Sequence, residues 1–261
     1  GESQVIAGDY DYNIRRWKTT DGQQQGPTVQ ANSTIRSIVV SQDGRWMVSG
    51  DDAKKTIVWN AATLQRVHEF TEHSDRVSGV DISSDCTKYA SADRSNDHNN
   101  VRIFSITSGI QLLPSLRHPC ATGIKFSPDG SRFATTSDTH GLRVYSTHNG
   151  DILFDSGQMG SSSAWPVAPL VWYSDQQLFV GSIGKLTCFD LSKSSHSAWF
   201  IHGNQSRSHI ASNGRFIAYG TGSSVPLWDC VSHKQIGGMI THSSSTSCVA
   251  LSPSGEYLAC G

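Results

Sequence analysis

FSPDGSRFATTSDTHGLRVYS, residues 126–146, decides the fold. Just before and into it, Ile124 and Phe126 alternate with polar neighbours, as a half-buried strand must. Pro128-Asp129-Gly130 is turn chemistry, in which glycine tolerates a positive φ. Phe133 to Ser137 then crosses back as a second strand. A polar turn follows, and Leu142, Val144 and Tyr145 form a third strand ahead of another turn at Asn149-Gly150. Ile152 to Phe154 is the fourth.

The same order recurs along the chain. An aromatic residue ending an apolar-alternating run stands at Trp17, Trp59, Phe104, Tyr145, Phe189 and Trp228, at intervals of 42, 45, 41, 44 and 39 residues. Ser41, Ser83, Ser127, Ser212 and Ser252 each close an apolar strand before a turn, at intervals of 42, 44, 85 and 40. The interval of 85 is two repeats, and Tyr173 fills the skipped place. Self-similarity at such a period is the mark of a repeat architecture, and four short antiparallel strands per period is a propeller blade.

The pattern resembles the WD40 repeat family over essentially the whole chain. Trp228-Asp229 preserves the name-giving dipeptide, Phe189-Asp190 and Trp59-Asn60 come near it, and SPDG (127–130) and SPSG (252–255) match the family's first turn. The resemblance implies an all-β, WD40-type β-propeller of four-stranded antiparallel blades with six readable repeats, and residues 1–261 as a single domain.

GDYDYNIRRW, residues 8–17, opens like a calcium loop, with Asp9, Asp11 and Asn13 at alternate positions. A calcium loop needs glycine at its sixth place and glutamate at its twelfth, and Ile14 and Thr20 stand there instead. By resemblance the segment is a second strand, turn and third strand, with Asp11 as the turn aspartate. In the family that aspartate belongs to a buried network joining a loop histidine, a strand serine and a tryptophan indole. The network is broken in every repeat here. Ser49 and Trp59 lack the loop histidine, and His73 and Ser91 face Phe104, which has no N–H to offer. His242, Asp11 and Trp17 are in place, with Ala7 where serine should be. The expectation is therefore of blades held chiefly by apolar packing, at about 25 cal/mol for each Å² of apolar surface buried.

Three strands from the N-terminal repeat, twenty from five intact repeats and two from the C-terminus make 25. VIAG (5–8) and YLACG (257–261) align with each other and cannot occupy one place. Either six blades close with a redundant strand, or the chain is an excerpt of a longer array, a seven-bladed frame whose terminal blade is incomplete. The excerpt is favoured, because an unpaired edge strand invites aggregation.

Composition bounds the function. With 16% charged residues, a formal net charge of −1 and a pI near 6.9, the chain lacks the basic field of a non-specific nucleic-acid binder, so no nucleic-acid partner is expected. No apolar run approaches a membrane span and no signal peptide opens the chain, which reads as soluble and intracellular, with the cytoplasm as the expected compartment. Six scattered cysteines without a CxxC pair read as reduced, buried thiols.

No catalytic motif is present: there is no GxSxG, HExxH, Walker loop or GxGxxG. Ser41-Gln42-Asp43-Gly44-Arg45-Trp46 approximates a sialidase box, but its glycine comes one residue early and its tryptophan two, so it reads as a strand-joining turn. Asp51-Asp52, beside Lys54-Lys55, reads as turn charge and not as a glycosidase pair, and the turn histidines His98 and His140 have no partner at zinc spacing. No metal, cofactor or small-molecule substrate is expected.

The resemblance gathers the loops between second and third strands, and those between repeats, on one face. That face carries an insertion, Asp93 to Asn100, and a Gly- and Ser-rich loop, Asp155 to Pro169, holding Trp165. Loops on a rigid scaffold concentrate binding residues, and tryptophan and arginine are favoured anchors. The candidate partner-binding residues are Asp51, Asp52, Asp93, Arg94, Asp97, His98, His140 and Trp165. The leading reading is a non-catalytic protein-interaction scaffold presenting this face to a protein or peptide. The alternatives are a ligand-sensing repeat region of a larger multidomain signalling ATPase and an enzyme with its site in the central channel.

Overall fold

The computed structural model describes residues 4–9, 11–96, 99–158, 170–182, 184–200 and 208–261, and these contain no helix. None is therefore long and apolar enough to cross a membrane. The first sheet holds β1 (Gln4–Gly8), β2 (Asn13–Lys18) and β3 (Val29–Gln30), and the second β4 (Ile35–Val40), β5 (Trp46–Asp51), β6 (Thr56–Asn60) and β7 (Arg66–Phe70). The third holds β8 (Val77–Ile82), β9 (Lys88–Asp93) and β10 (Val101–Ser105), and the fourth β11 (Ala121–Phe126), β12 (Arg132–Ser137), β13 (Gly141–Ser146) and β14 (Ile152–Asp155). The fifth is β15 (Leu170–Ser174), β16 (Gln177–Ser182), β17 (Lys185–Asp190) and β18 (Ser195–Phe200), and the sixth β19 (Ser208–Ser212), β20 (Phe216–Thr221), β21 (Ser224–Asp229) and β22 (Gln235–Thr241). A last pair, β23 (Val249–Leu251) and β24 (Leu258–Cys260), follows.

All ladders are antiparallel and join neighbours in sequence, the topology of a β-propeller. Six inner strands, β4, β8, β11, β15, β19 and β23, surround an axial cavity of about 150 Å³. The landmark aromatics all lie on third-strand positions, each opposite a residue of the second strand: Trp17 faces Val5, Trp59 Met47, Phe104 Tyr89, Tyr145 Phe133, Phe189 Leu178 and Trp228 Ile217. Two of these pairs stack, Tyr89 on Phe104 at 4.8 Å and Phe133 on Tyr145 at 5.0 Å. Cross-strand pairs of this kind are the unit of sheet stabilisation.

The core lies between sheets. Val48 and Val58 of the second sheet share one buried cluster with Val77, Val80, Tyr89 and Phe104 of the third. Ala134 and Val144 of the fourth likewise share one with Leu170, Leu178 and Phe189 of the fifth. This close approach needs small residues: an added Cβ on Gly50 would lie 2.5 Å from Val77 Cγ1.

The Ser-x-Asp turns are locked locally. Ser41 Oγ donates to Asp43 Oδ1 at 2.6 Å, and Ser83 and Ser127 do the same to Asp85 and Asp129. The hydroxyl of Ser41 foremost, then the Arg45 N–H, holds the Asp43 carboxyl down to about 2. The near-sialidase segment is thus the β4–β5 turn, and Gly44 takes the positive φ it needs.

One expectation changes and one holds. The third sheet has three strands, because its outer edge meets β10 only through single bridges, Phe104 with Gln111 and Val101 with Leu116. Pro114 stands between those bridges and has no N–H to place in a ladder. The described strands therefore number 24, as many as six four-stranded blades hold, spread over seven sheets. The two ends do not compete for one place: β1 pairs with β2, and β23 with β24, in separate sheets.

Candidate interaction face

Loops after the second strands define one face, and their geometry repeats. Asp9, Asp51 and Asp93 cap successive turns, their Oδ1 atoms accepting the backbone N–H of Asn13, Lys55 and Ser95 at 2.8 to 2.9 Å. In the fourth sheet Ser137 Oγ takes the same part, accepting the N–H groups of Thr139 and His140. One residue further on, Asp52, Arg94 and Asp138 each donate their backbone N–H to a carbonyl of the preceding loop, Thr34, Arg76 and Cys120. Three charged side chains are thereby fixed at equivalent points of the rim.

These rim charges are paired. Arg36 grips Asp52 with two bonds, Nε to Oδ1 at 2.6 Å and Nη2 to Oδ2 at 2.5 Å. Arg94 crosses from the third sheet to pair with Asp138 of the fourth, and Lys54 Nζ reaches Ser74 O at 2.8 Å. Burial raises the Asp138 carboxyl, against the lowering influence of Arg94. Neither Asp138 nor Arg36 was singled out by sequence. The signal was available, since Asp52, Arg94 and Asp138 lie 42 and 44 residues apart.

Two expected face residues are buried instead. Asp51 is 1% exposed, and burial raises its carboxyl despite the bond from Lys55. Asp93 is 0% exposed and belongs to a sealed network. There His73 Nδ1 lies 2.9 Å from Asp93 Oδ2, while His73 Nε2 lies 2.9 Å from Ser91 Oγ and 3.2 Å from Thr56 Oγ1 of the neighbouring sheet. These partners fit a neutral ring that donates from Nδ1 and accepts at Nε2. Arg102 supplies the compensating cation, 3.5 Å from Asp93 and bonded to Glu72 O at 3.1 Å. Burial pushes the Asp93 carboxyl up, but the bonds from His73 and Ser95 outweigh it and hold the group below its ordinary range. The serine–histidine–aspartate spacing is that of a proton relay, yet Ser91 is 0% exposed and sealed from solvent.

So the network is not broken in every repeat. Its missing tryptophan is answered in the third sheet by Arg102, a residue sequence reasoning passed over. His118 was also missed, although it stands 45 residues after His73: it is 0% exposed and its Nδ1 lies 2.6 Å from Thr135 Oγ1. Burial foremost, then the charge of Arg143, brings its pKa down to about 3. Ser49 accepts from the Trp59 indole N–H at 2.9 Å, with Ala31 at the histidine's equivalent point.

At the chain ends the expected trio does not assemble. Asp11 and His242 are exposed and Trp17 is half-buried, with no hydrogen bond among their side chains, and the turn cap is Asp9. His140 is half-buried, its Nδ1 2.7 Å from Thr139 Oγ1 and its ring edge-on to His118. Asp97, His98 and Trp165 lie outside the described residues. Among the described residues, no three His, Cys, Asp or Glu side chains converge on a common metal position. The axial cavity is walled mainly by Ser, Thr, Gly and aliphatic groups, and its Lys125 is paired with Asp81 at 2.6 Å.

Comparison with known proteins agrees with this architecture. The model of the WD domain, G-beta repeat matches residues 24–60, 64–105, 111–146 and 233–261, more than half of the chain. The human U3 small nucleolar RNA-interacting protein 2 is 27% identical over 90 residues, 30% of this chain and 19% of that protein. Autophagy-related protein 16 of Arabidopsis thaliana is 27% identical over 156 residues, 57% of this chain and 30% of that protein. The matches thus span less than a third of either relative. The solved structure of U3-55K superposes with a TM-score of 0.82 at 18% identity, covering 99% of this chain and 84% of the other, a likeness of fold. On the family match and this geometry together, the chain belongs to the WD40 family of WD domain, G-beta repeat proteins.

Proposed function

We propose that residues 1–261 act as one non-catalytic interaction scaffold that presents its loop face to a protein or peptide partner. The observation that carries this reading is the set of equivalent rim positions, Asp52, Arg94 and Asp138, held on backbone anchors around a rigid propeller. Charges fixed in this way are pre-organised, so a partner spends little entropy in ordering them. Mixed signs on the rim and a near-neutral chain support a protein partner over a nucleic acid, whose phosphates reward a basic field. The axial cavity, at about 150 Å³ with its one lysine already paired, supports a structural centre over an active site.

Cross-linking capture followed by mass spectrometry tests the reading. Replacing Arg94, Asp97 and Trp165 together by alanine is expected to reduce the captured partner at least tenfold while the thermal midpoint stays within a few degrees. Undiminished capture by the folded triple variant would reject this face, and capture abolished by added RNA would reject the partner class.

A further inference from the structure

His73 and His118 hold equivalent places, each in the loop before an inner strand, but their surroundings differ by one residue. Asp93 closes β9 opposite Val77, and Ser137 closes β12 opposite Ala121. His73 therefore has a carboxylate 2.9 Å from its Nδ1, able to meet a charge on the ring. His118 has a hydroxyl alone: Nδ1 lies on Thr135 Oγ1, and Nε2 is buried with no partner among the described residues. The charged and titratable groups around the ring do not replace the missing anion. Arg143 opposes a second cation, Asp155 is held by Arg143 at 2.6 Å, and His140 is an edge-on neighbour. Asp138, on the same loop as His140, is taken by Arg94, and Asp93 of the third sheet by His73. A buried imidazolium without an anion is costly, so proton uptake and departure of the ring from its site go together.

That ring anchors a segment that no ladder holds. Residues 117–120 lie between β10 and β11, outside every strand. Asn100 clamps the backbone of His118, its Oδ1 accepting the N–H at 2.9 Å and its Nδ2 donating to the C=O at 2.6 Å. Ser137 Oγ donates to Pro119 O at 2.6 Å. Cys120 N–H then donates to Ser95 O at 2.9 Å, and Cys120 O accepts the Asp138 N–H at 3.3 Å. The segment thus ties together the two loops whose charges, Arg94 and Asp138, pair across the third and fourth sheets. The second sheet supplies an internal contrast, because Asp52 N–H makes the matching bond to Thr34 O at 3.0 Å with Ala31 in place of the histidine.

We propose that His118 is an acid-released clasp: on taking a proton its ring leaves the site, residues 117–120 let go of Ser95 and Asp138, and the Arg94–Asp138 pair loses its fixed geometry while the other sheets stay folded. The direction follows from burial foremost, then from the charge of Arg143, which bring the His118 pKa down from 6.5 to about 3. The clasp is closed above pH 6.5 and opens progressively as pH falls toward 3. That partner capture follows the clasp rests on the loop-face reading above.

Hydrogen exchange on the free 261-residue chain, compared at about pH 7.5 and pH 5 after correction for intrinsic rates, tests the clasp. Protection of the Cys120 and Asp138 amides is expected to fall at least tenfold at the lower pH, toward the ceiling of about thirtyfold set by a pKa moving from 6.5 to about 3, while Asp52 changes less than about threefold. Equal falls at Asp52 and Asp138 mean general unfolding and overturn the proposal, as does no fall at Asp138. His118→Gln is expected to remove the pH response. A fall that persists in that variant belongs to Asp138, whose carboxyl burial also raises, and overturns the proposal too. Should His118→Gln fail to fold, Ser137→Asp supplies the anion that His73 has and is expected to restore most of the protection at the lower pH; an undiminished fall there counts against the clasp. Cross-linked capture of the partner is expected to weaken at the lower pH in the unaltered chain and not in Ser137→Asp. Amides that respond while capture does not would support the clasp and reject the loop face.

Discussion

The second to fourth sheets and the sixth sheet share one topology but hold their strands together differently. In the former, buried polar side chains are knitted across and between sheets: Trp59 to Ser49, His73 to Ser91, Asp93 and Thr56, His118 to Thr135. In the sixth sheet the tryptophan survives but its partner does not. Tyr219 stands where Ser49 stands in the second sheet, two residues beyond the one facing the landmark aromatic, and its hydroxyl turns to Ser182 O at 2.5 Å. The buried indole nitrogen of Trp228 is left without a partner among the described residues. Ile217, Tyr219 and Cys230 instead share an apolar cluster with Phe179 and Leu186 of the fifth sheet. A propeller blade therefore tolerates either solution. Polar networks add specificity at a high cost of being broken, whereas apolar contact is forgiving.

The largest effect should come from breaking the network at its charge. Asp93→Ala leaves His73 and Arg102 buried without their anion, and a loss of about 3–5 kcal/mol is expected in urea unfolding. A loss below 1 kcal/mol would mean that the network contributes no more than the apolar contacts of the sixth sheet.

Acid should act on the same region. The His73 and His118 pKa values are lowered in the folded chain, burial being the chief cause for both, His118 to about 3 from 6.5. The unfolded chain consequently binds more protons in that window. Stability conferred by the neutral rings is complete above pH 6.5 and declines as pH falls toward 3, by at most about 1.4 kcal/mol per pH unit for each proton. His118→Gln should flatten the dependence of the thermal midpoint between pH 6.5 and 4.5. An unchanged slope would remove His118 from the account.

The smallest effect separates the two tryptophans. Trp59→Phe forfeits a made hydrogen bond and strands Ser49, whereas Trp228→Phe deletes a donor with no partner among the described residues, so the first should cost about 1 kcal/mol more than the second. Equal costs would erase the distinction between the sheets.

Much of the fold was legible because its signals are local. The landmark aromatics, the Ser-x-Asp turns and the alternation of Ile124 and Phe126 are all set by residues within a few places of one another. The loss of the third sheet's fourth strand was legible in principle, since Pro114 interrupts the apolar run of Leu112, Leu113 and Leu116. The face was read less well. Asp93 and Asp51 looked like exposed turn charge because acid residues in turns are usually solvated, and only the packing of the neighbouring sheet buries them. Arg102 was invisible as a network member for a similar reason: its guanidinium lies beside His73, 29 residues away, across a strand order that no short pattern encodes.

By itself the sequence determined the repeat, its period, the antiparallel strand order and hence a propeller, because alternation and turn chemistry act within one blade, over distances that a chain of a few residues spans. Only the tertiary structure decided which polar groups are sealed and which charges stand on the rim. Those properties depend on which sheets face one another at van der Waals distance, and burial, not residue type, sets the energy of a charge.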